Sequence, residues 1–406
     1  MKVLQINTTI QLGSTGRIAS AIEDFLKSQG HYSVIAYGRD SKKKIPGIKI
    51  GTRIDFYGHI VKTRILDRHG FGSKRATKKL ITRIKSFDPD IIHLHNIHGY
   101  FLHIGVLFGY LKSAGKPVVW TFHDCWPFTG HCSFFDRFDC TKWQTECFKC
   151  PLKSYYPRSL LMDNSTMNFR EKKFLFSLLE NLTLVSPSEW LAAQLRKSFL
   201  RGYPIRVINN GVDLDKFKPA DNEKTIRKYG LKGKFIVLGA ANKWDKRKGL
   251  PDFIELRSLL RSDIEIVLIG LSYKQISSLP KGICGISRTE SIEELASFYS
   301  IADVFVNPTY VDNFPTTNIE SLACGTPVIT YRTGGSHETI DSKCGLVIPK
   351  GDIRALYKAV EDMILIGKNN LSGLCRTRAE QFYSKNNKID EYLNLYNSLY
   401  LNTNRL

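Results

Sequence analysis

The chain has 406 residues and carries 59 Lys and Arg against 38 Asp and Glu, a formal net charge of +21. With 42% hydrophobic and 24% charged residues it has an ordinary globular composition, and its length exceeds what one hydrophobic core supports, so two domains are expected. No apolar run approaches the roughly 20 residues of a membrane span. Residues 1–9 run straight into a strand pattern without a signal-peptide layout, so a cytoplasmic protein is expected. The excess positive charge calls for an anionic partner: nucleic acid, an anionic membrane face or phosphorylated substrates. In a reducing compartment the nine cysteines read as thiols rather than disulfides.

Residues 2–7 form a first strand pattern. Gly13, Ser14, Thr15, Gly16 and Arg17 follow, then a helical pattern through Ile18, Ile22, Phe25 and Leu26 that ends near Gly30. Strand, Gly-rich turn and helix is the layout in which backbone N–H groups cradle phosphate. The run is not GxGxxG, and from the residues alone a plain turn is the simpler reading. Lys and Arg crowd residues 40–80, in Ser41-Lys42-Lys43-Lys44 and in residues 73–79, with a basic stretch at 63–71 that reads as irregular. Such runs are usually a solvated basic face. The sharper reading is a patch for anionic lipid, where each Lys or Arg contributes roughly 1 kcal/mol.

Residues 90–95 form a strand that runs into Asn96-Ile97-His98, which makes His95, Asn96 and His98 candidates for ligand contacts at a strand end. His93 and His95 alternate onto one face with no neighbouring carboxylate, which argues against zinc there. The strand at 118–122 ends in His123-Asp124, where Asp124 either sets the tautomer of His123 or faces an acceptor. Cys125, Cys132, Cys140, Cys147 and Cys150 then fall among aromatic residues. Cys147 and Cys150 have zinc-knuckle spacing, and Cys132 and Cys140 would complete four ligands. Only one CxxC pair exists, so structural zinc, reduced cysteines packed among rings and a redox-labile pair all stay open.

Helical patterns over 167–179 and from Ser188, an expected N-cap, flank a strand at 182–185. The domain boundary is placed near Asn210, in Asn209-Asn210-Gly211-Val212-Asp213. A strand at 235–240 opens the second half, and its following loop crowds Lys243, Lys246, Arg247 and Lys248, whose mutual repulsion is costly unless an anion sits among them. A strand at 265–270, a helix around 293–299, a turn at Gly334-Gly335-Ser336 into a helix start at Glu338, and helices over 352–364 and 389–401 complete the pattern.

The most informative stretch is residues 310–330. Asn307-Pro308 closes the apolar run before it, Thr316 or Thr317 is expected to cap a helix with Pro315 in its first turn, Gly325 ends that helix and Pro327 opens a strand. Asp312 in the loop and Glu320 eight positions later in the helix can both face the space beyond the carboxyl end of the preceding strand, where open α/β sheets bind ligands. A carboxylate there accepts hydrogen bonds from a sugar diol, and the helix N–H groups add positive field. Two solvated acids on an ordinary connection are the bland alternative.

Asp312-x-Phe314-Pro315, Glu320 and the run Ala323-Cys324-Gly325-Thr326-Pro327-Val328 together resemble the donor-site motif of retaining glycosyltransferases of family 4 with the GT-B fold. The likeness continues over most of the chain. It implies an α/β protein of two Rossmann-like domains facing across a cleft. These are an acceptor domain over 1–210 with the Cys-rich insertion 125–150, a donor domain over 211–385, and a C-terminal helix over 386–406 crossing back to the first domain. It also implies a metal-independent, retaining hexosyltransferase that moves a sugar from a UDP- or GDP-sugar to a growing, lipid-linked surface polysaccharide at the inner membrane face.

In that resemblance Gly16, with Arg17, borders the donor diphosphate, and His123 contacts the sugar near its C6 hydroxyl. Lys243 and Lys248 hold the diphosphate, with Lys in place of the usual Arg at 243 and Arg247 to compensate. Thr289 lies beside the base. Asp312, one methylene shorter than the usual Glu, contacts the transferred sugar together with Asn313, Phe314, Pro315 and Thr316, and Glu320 holds the ribose. His123, Asp312, Lys243 and Lys248 are the catalytic candidates. The nucleotide sugar is the only small molecule the reaction is expected to need, with Cys132, Cys140, Cys147 and Cys150 as the one tentative zinc set. The alternative, a basic nucleic-acid-binding protein with a Cys-rich zinc module, shows no recognition module. A nucleotide-sugar epimerase or dehydrogenase would need the absent GxGxxG.

Overall fold

The computed structural model of the chain describes residues 1–40, 45–220 and 222–403, so the basic run Ser41-Lys42-Lys43-Lys44 lies outside the described residues. The chain divides into two compact units, Met1–Ile208 with Ile389–Leu406, and Asn209–Lys388.

The first unit is built on seven parallel strands: β1 (Lys2–Thr9), β2 (Tyr32–Arg39), β3 (Ile48–Lys49), β4 (Ile91–Leu94), β5 (Val118–Thr121), β6 (Leu182–Ser186) and β7 (Ile205–Val207). Their spatial order is β3-β2-β1-β4-β5-β6-β7. Strands covered on both faces read as continuous apolar runs, and β4, β5 and β6 are buried at every position. The connecting helices are α1 (Gly13–Ser28), α2 (Arg53–Leu66), α3 (Lys74–Phe87), α4 (Ile104–Ala114), α5 (Ser165–Phe176) and α6 (Glu189–Lys197). Ser188 caps α6 by accepting from the Leu191 N–H at 3.1 Å. The stretch at 63–71 is helical through Leu66 rather than irregular. The basic run at 73–79 opens α3, with Lys74, Arg75, Lys78 and Lys79 exposed and Ala76, Thr77 and Leu80 buried, the solvated basic face. Between β5 and α5 the described residues hold only three short 3-10 turns, at Trp126–Phe128, Asp136–Phe138 and Lys142–Gln144.

The second unit repeats the plan with six parallel strands: β8 (Phe235–Ala240), β9 (Ile264–Ile269), β10 (Ile283–Ile286), β11 (Val304–Asn307), β12 (Val328–Tyr331) and β13 (Gly345–Ile348), in the order β10-β9-β8-β11-β12-β13. Its helices are α7 (Glu223–Tyr229), α8 (Leu250–Leu259), α9 (Tyr273–Ile276), α10 (Ile292–Ile301), α11 (Thr316–Ala323), α12 (Ile353–Ile366) and α13 (Lys368–Tyr383). Both sheets have the doubly wound order, which reverses direction between β1 and β4 and between β8 and β11. Neither Thr316 nor Thr317 caps α11. Both already lie inside the helix, and the capping position falls on extended Pro315, which makes no side-chain cap. Glu338 belongs to a single 3-10 turn, Ser336–Thr339.

The last helix, α14 (Lys385–Thr403), starts in the second unit and belongs to the first from Ile389 on. Lys385 Nζ meets Asp213 Oδ2 at 2.6 Å at its start. Farther along, Ile389, Tyr392 and Tyr396 are buried with Val3, Ile22, Leu26, Ile91 and Val119. The Tyr396 hydroxyl bonds His93 Nδ1 at 2.6 Å, and the Tyr392 hydroxyl bonds Thr121 Oγ1 at 3.1 Å. Tyr396→Phe leaves the fully buried His93 without that partner. A cost of about 1–3 kcal/mol is expected, with the melting transition of the first unit falling roughly 2–4 °C per kcal/mol. Calorimetry showing an unchanged transition would contradict this anchoring role.

Candidate functional site

In the second unit the sheet reverses between β8 and β11, so the loops that follow these two strands diverge and leave a concave edge between them. The two loops are fastened to each other. The Tyr310 N–H donates to the Arg247 carbonyl at 2.8 Å, and the Arg247 guanidinium donates to the Val311 carbonyl at 3.2 Å. Gly249 has φ of 75° and lies so close to Pro308 that any Cβ there would overlap its carbonyl. Asp245 caps the short turn Lys246–Lys248 by accepting from the Lys248 N–H at 3.1 Å. Lys248 Nζ then meets Asp312 Oδ2 at 2.5 Å, both side chains about one-fifth exposed. Gly334 lies closer still to the Asp312 carbonyl than Gly249 does to that of Pro308. Lys243 lies exposed on the same loop, and Arg247 is half-buried.

Glu320 is buried in α11, and the Tyr299 hydroxyl of α10 donates to its Oε2 at 3.0 Å, orienting the carboxylate. The start of α11 is fixed by Asn318. Its Oδ1 accepts from Asn307 Nδ2 at 2.8 Å, and its own Nδ2 donates to Thr339 Oγ1 at 2.9 Å. Asn313, Phe314 and Pro315 are buried and Thr316 is half-buried, with the Phe314 carbonyl accepting from Asn210 Nδ2 at 2.9 Å. Thr289 is half-buried in the loop after β10. Lys248, Asp312 and Arg247 thus converge, and Glu320 lies one helical segment away. Tyr299, Asn307 and Asn318 were not among the expected site residues. Their signal was faint: a polar residue ending an apolar strand and a tyrosine on an otherwise apolar helix.

In the first unit Gly16 lies inside the first turn of α1, where a Cβ would come 2.9 Å from Thr9 Oγ1 and 3.2 Å from the Gln11 N–H nitrogen. The glycine serves the close approach of helix to strand. Arg17 is exposed and α1 has no side-chain cap. His123, at the end of β5, bonds His95 Nδ1 through its Nε2 at 3.2 Å. The next links fix the protons. Gln5 Nε2 donates to the Ala19 carbonyl at 3.0 Å, so Gln5 Oε1 accepts from His95 Nε2 at 3.0 Å. His95 therefore offers a lone pair at Nδ1, and His123 donates from Nε2, leaving its own Nδ1 as an acceptor.

Asp124 does not set that tautomer. Its Oδ2 bonds His98 Nε2 at 2.8 Å and its Oδ1 accepts from the Trp126 N–H at 3.0 Å. Burial opposes its charge, yet these contacts hold the carboxyl below the usual range. His98 is buried, bonded to Asp124 and to the Tyr156 hydroxyl at 3.1 Å, whereas Asn96 is half-exposed. All nine cysteines are unpaired. Among the described residues no three His, Cys, Asp or Glu side chains are grouped closely enough to hold a metal ion. Cys132, Cys140, Cys147 and Cys150 nevertheless line one small cavity with Phe135 and Trp143, whose rings lie 4.7 Å apart, and the Cys132 thiol bonds Cys150.

The histidines make the first unit acid-sensitive. Burial lowers His93 to about 3 and His123 to about 4, and holds His95 well below its ordinary value. The unfolded chain takes up these protons below the ordinary value of 6.5, while the folded unit does not until near pH 4. Stability is therefore fully present above pH 6.5 and falls as the pH drops through that window. The melting temperature of this unit is expected to decline steadily from pH 7 toward pH 4, and to decline less steeply in His95→Gln. A flat profile would contradict the burial of neutral imidazoles.

Two family models match: "Glycosyltransferase Family 4" over residues 16–216 and "Glycosyl transferases group 1" over residues 232–365. WcaC of Escherichia coli K12, named for glycosyl transfer in colanic acid biosynthesis, is 26% identical over 98% of this chain and 100% of its own length. The capsular polysaccharide biosynthesis glycosyltransferase CapM of Staphylococcus aureus is 24% identical over 61% of this chain and 70% of its own. Among solved structures, sucrose-phosphate synthase of Thermosynechococcus elongatus superposes with a TM-score of 0.72 at 17% identity, over 98% of this chain and 99% of that one. Anabaena Alr3699/HepE in complex with UDP superposes with a TM-score of 0.70 at 14% identity, over 98% and 100%. The nucleic-acid alternative finds no support in these comparisons. Two doubly wound parallel sheets in sequence, the two matched models and the polysaccharide-synthesis relatives agree: the chain is a glycosyltransferase of family 4, with the GT-B fold.

Proposed function

We propose that the protein transfers a hexose, with retention at the anomeric carbon, from a nucleotide diphosphate sugar to a growing, lipid-linked polysaccharide at the cytoplasmic face of a membrane. The observation that carries this reading is the Lys248–Asp312 pair at the point where the second sheet reverses. A donor bound there would exchange partners with the pair. Its diphosphate takes Lys248, together with Lys243 and Arg247, and the released Asp312 carboxylate accepts from hydroxyls of the sugar. A partly exposed ion pair contributes only about 0–1 kcal/mol, so the exchange costs little.

As the glycosidic bond lengthens, negative charge grows on the departing diphosphate, and the three cations stabilise it in a role that other transferases give to a divalent metal. The acceptor hydroxyl attacks from the face the diphosphate leaves, and a phosphate oxygen receives its proton. His123 contributes its Nδ1 lone pair to a sugar hydroxyl, and Glu320, held by Tyr299, accepts from the ribose. The complexes of Anabaena Alr3699/HepE with UDP and with UDP-glucose make UDP the first nucleotide to test.

Thermal-shift titration with UDP and GDP tests the site. One of them is expected to raise the melting temperature of the second unit, since a ligand at a hundred times its Kd stabilises by about 2.7 kcal/mol. Glu320→Ala is expected to abolish the shift. A shift retained in full by that variant would remove Glu320 from the site. Asp312→Asn separates binding from chemistry. Freeing Lys248 should tighten UDP a fewfold, while loss of the sugar contact should lower kcat about a hundredfold or more. UDP affinity that weakens in Asp312→Asn would defeat the partner exchange.

A further inference from the structure

Helix α2 turns much of its apolar surface outward. Its two buried residues, His59 and Thr63, are polar and Phe56 packs on Tyr100, while Ile54, Tyr57, Val61 and Ile65 point to solvent at 84%, 63%, 55% and 43% exposure. Their spacing of three and four residues draws a single apolar stripe along the outer face. The inward face is fully provided for. His59 Nε2 accepts from the Gly70 and Gly72 N–H groups at 3.1 and 3.2 Å, and its Nδ1 meets Ser73 Oγ at 3.0 Å. The Thr63 hydroxyl donates to the His59 carbonyl at 2.9 Å. The fold of the unit therefore does not use the outer stripe.

A second segment widens it. The Leu160 N–H donates to the Arg64 carbonyl at 2.7 Å and the Met162 N–H to the Ile65 carbonyl at 3.1 Å, which lays Leu160, Leu161 and Met162, all exposed, beside the end of α2. Cations border the ridge. Helical geometry puts Arg53 and Arg64 on one flank of the stripe, and Arg158 is exposed on the adjoining segment, while Lys62 on the other flank turns away to donate to the Phe71 carbonyl at 2.9 Å. The nearby carboxylates are engaged: Asp55 in a capping box with Thr52, Asp67 on His131, and Glu171 on Arg68. An apolar ridge rimmed by arginines that pair with no carboxylate among the described residues is complementary to a surface that is apolar inside and anionic at its face.

We infer that α2 and residues 160–162 form a lipid-docking surface, with α2 lying in the plane of an anionic membrane. The stripe Ile54, Tyr57, Val61 and Ile65 enters the acyl boundary, and Arg53, Arg64 and Arg158 meet the headgroup phosphates. This deepens the reading of a lipid-linked acceptor, on which it rests for its purpose, and it assigns membrane contact to this ridge rather than to the exposed basic face of α3.

Sedimentation of the full chain with vesicles of phosphatidylglycerol and phosphatidylethanolamine tests the surface, with phosphatidylcholine vesicles as the neutral control. The wild-type protein is expected to bind the anionic vesicles at low salt and bind them less at high salt. Ile54→Ser/Tyr57→Ser/Val61→Ser should weaken binding at least about tenfold. It should keep its UDP response and lose little melting temperature, since all three side chains are exposed and only Tyr57 gives up a ring contact, its edge against Phe56. Lys74→Ser/Lys78→Ser/Lys79→Ser on α3 should stay within about threefold of the wild type, having lost charge but no apolar surface. Tyr57→Trp supplies a direct reading, a blue-shifted emission on vesicle addition.

Wild-type protein that ignores anionic vesicles, a serine triple variant that binds them normally, or bound Tyr57→Trp with unshifted emission would each overturn the inference. So would a lipid-free dimer in sedimentation velocity that the serine variant abolishes, because the ridge would then belong to a second copy. Loss of UDP binding with vesicle binding intact would strike only the proposed donor chemistry.

Discussion

The site in the second unit depends on one seam, the join between the loop after β8 and the loop after β11. A parallel sheet that reverses its winding order must let these loops part, which opens a place for a ligand but leaves the chain there without a ladder of its own. The protein closes the gap with backbone contacts, Arg247 to Tyr310 and Gly249 against Pro308, and with the Lys248–Asp312 pair above them. Because Gly249 and Gly334 permit contacts that no Cβ would allow, the carboxylate and the ammonium are held by main chain rather than by flexible loops. The Glu320 carboxylate is presented the same way, by a helix whose first turn is tied to β11 through Asn318 and Asn307.

The first unit solves a different problem. Three imidazoles, His93, His95 and His123, lie close to one another near the ends of two adjacent strands, an arrangement that would be costly if any were charged. Burial keeps them neutral, and hydrogen bonds then assign each proton. Gln5 orders His95, which orders His123, while Tyr396 of the last helix holds His93. The helix that ends the chain thus has a chemical as well as a packing role in this unit. The same unit leaves the outer face of α2 apolar because its inner face already satisfies the polar groups of the turn that follows it.

The legibility of these features differs for physical reasons. Buried parallel strands are continuous apolar runs, so most of them could be read directly. Asp312 and Glu320 stood out because two acids spaced across a loop and a helix start are legible in the residues themselves. The cap of α11 was misread because Pro315 occupies the extended position that a Thr would normally take. The helix at Lys368–Tyr383 has a weak apolar pattern, burying only Cys375, Ala379 and Tyr383, and gave no periodic signal. Cys147 and Cys150 have metal-ligand spacing, but spacing does not say how closely their sulfurs approach those of Cys132 and Cys140, which line the same cavity.

What the sequence determined by itself was the pair of parallel sheets, the family likeness and the presence of acids and cations in the loops after β8 and β11, since each follows from residue type and local period. Tertiary structure decided the pairings. That Lys248 meets Asp312, that Asp124 serves His98 and not His123, and that α2 shows its apolar side to solvent all depend on which face of an element meets which neighbour. Such choices are set by packing between segments remote in sequence, where no local period carries information.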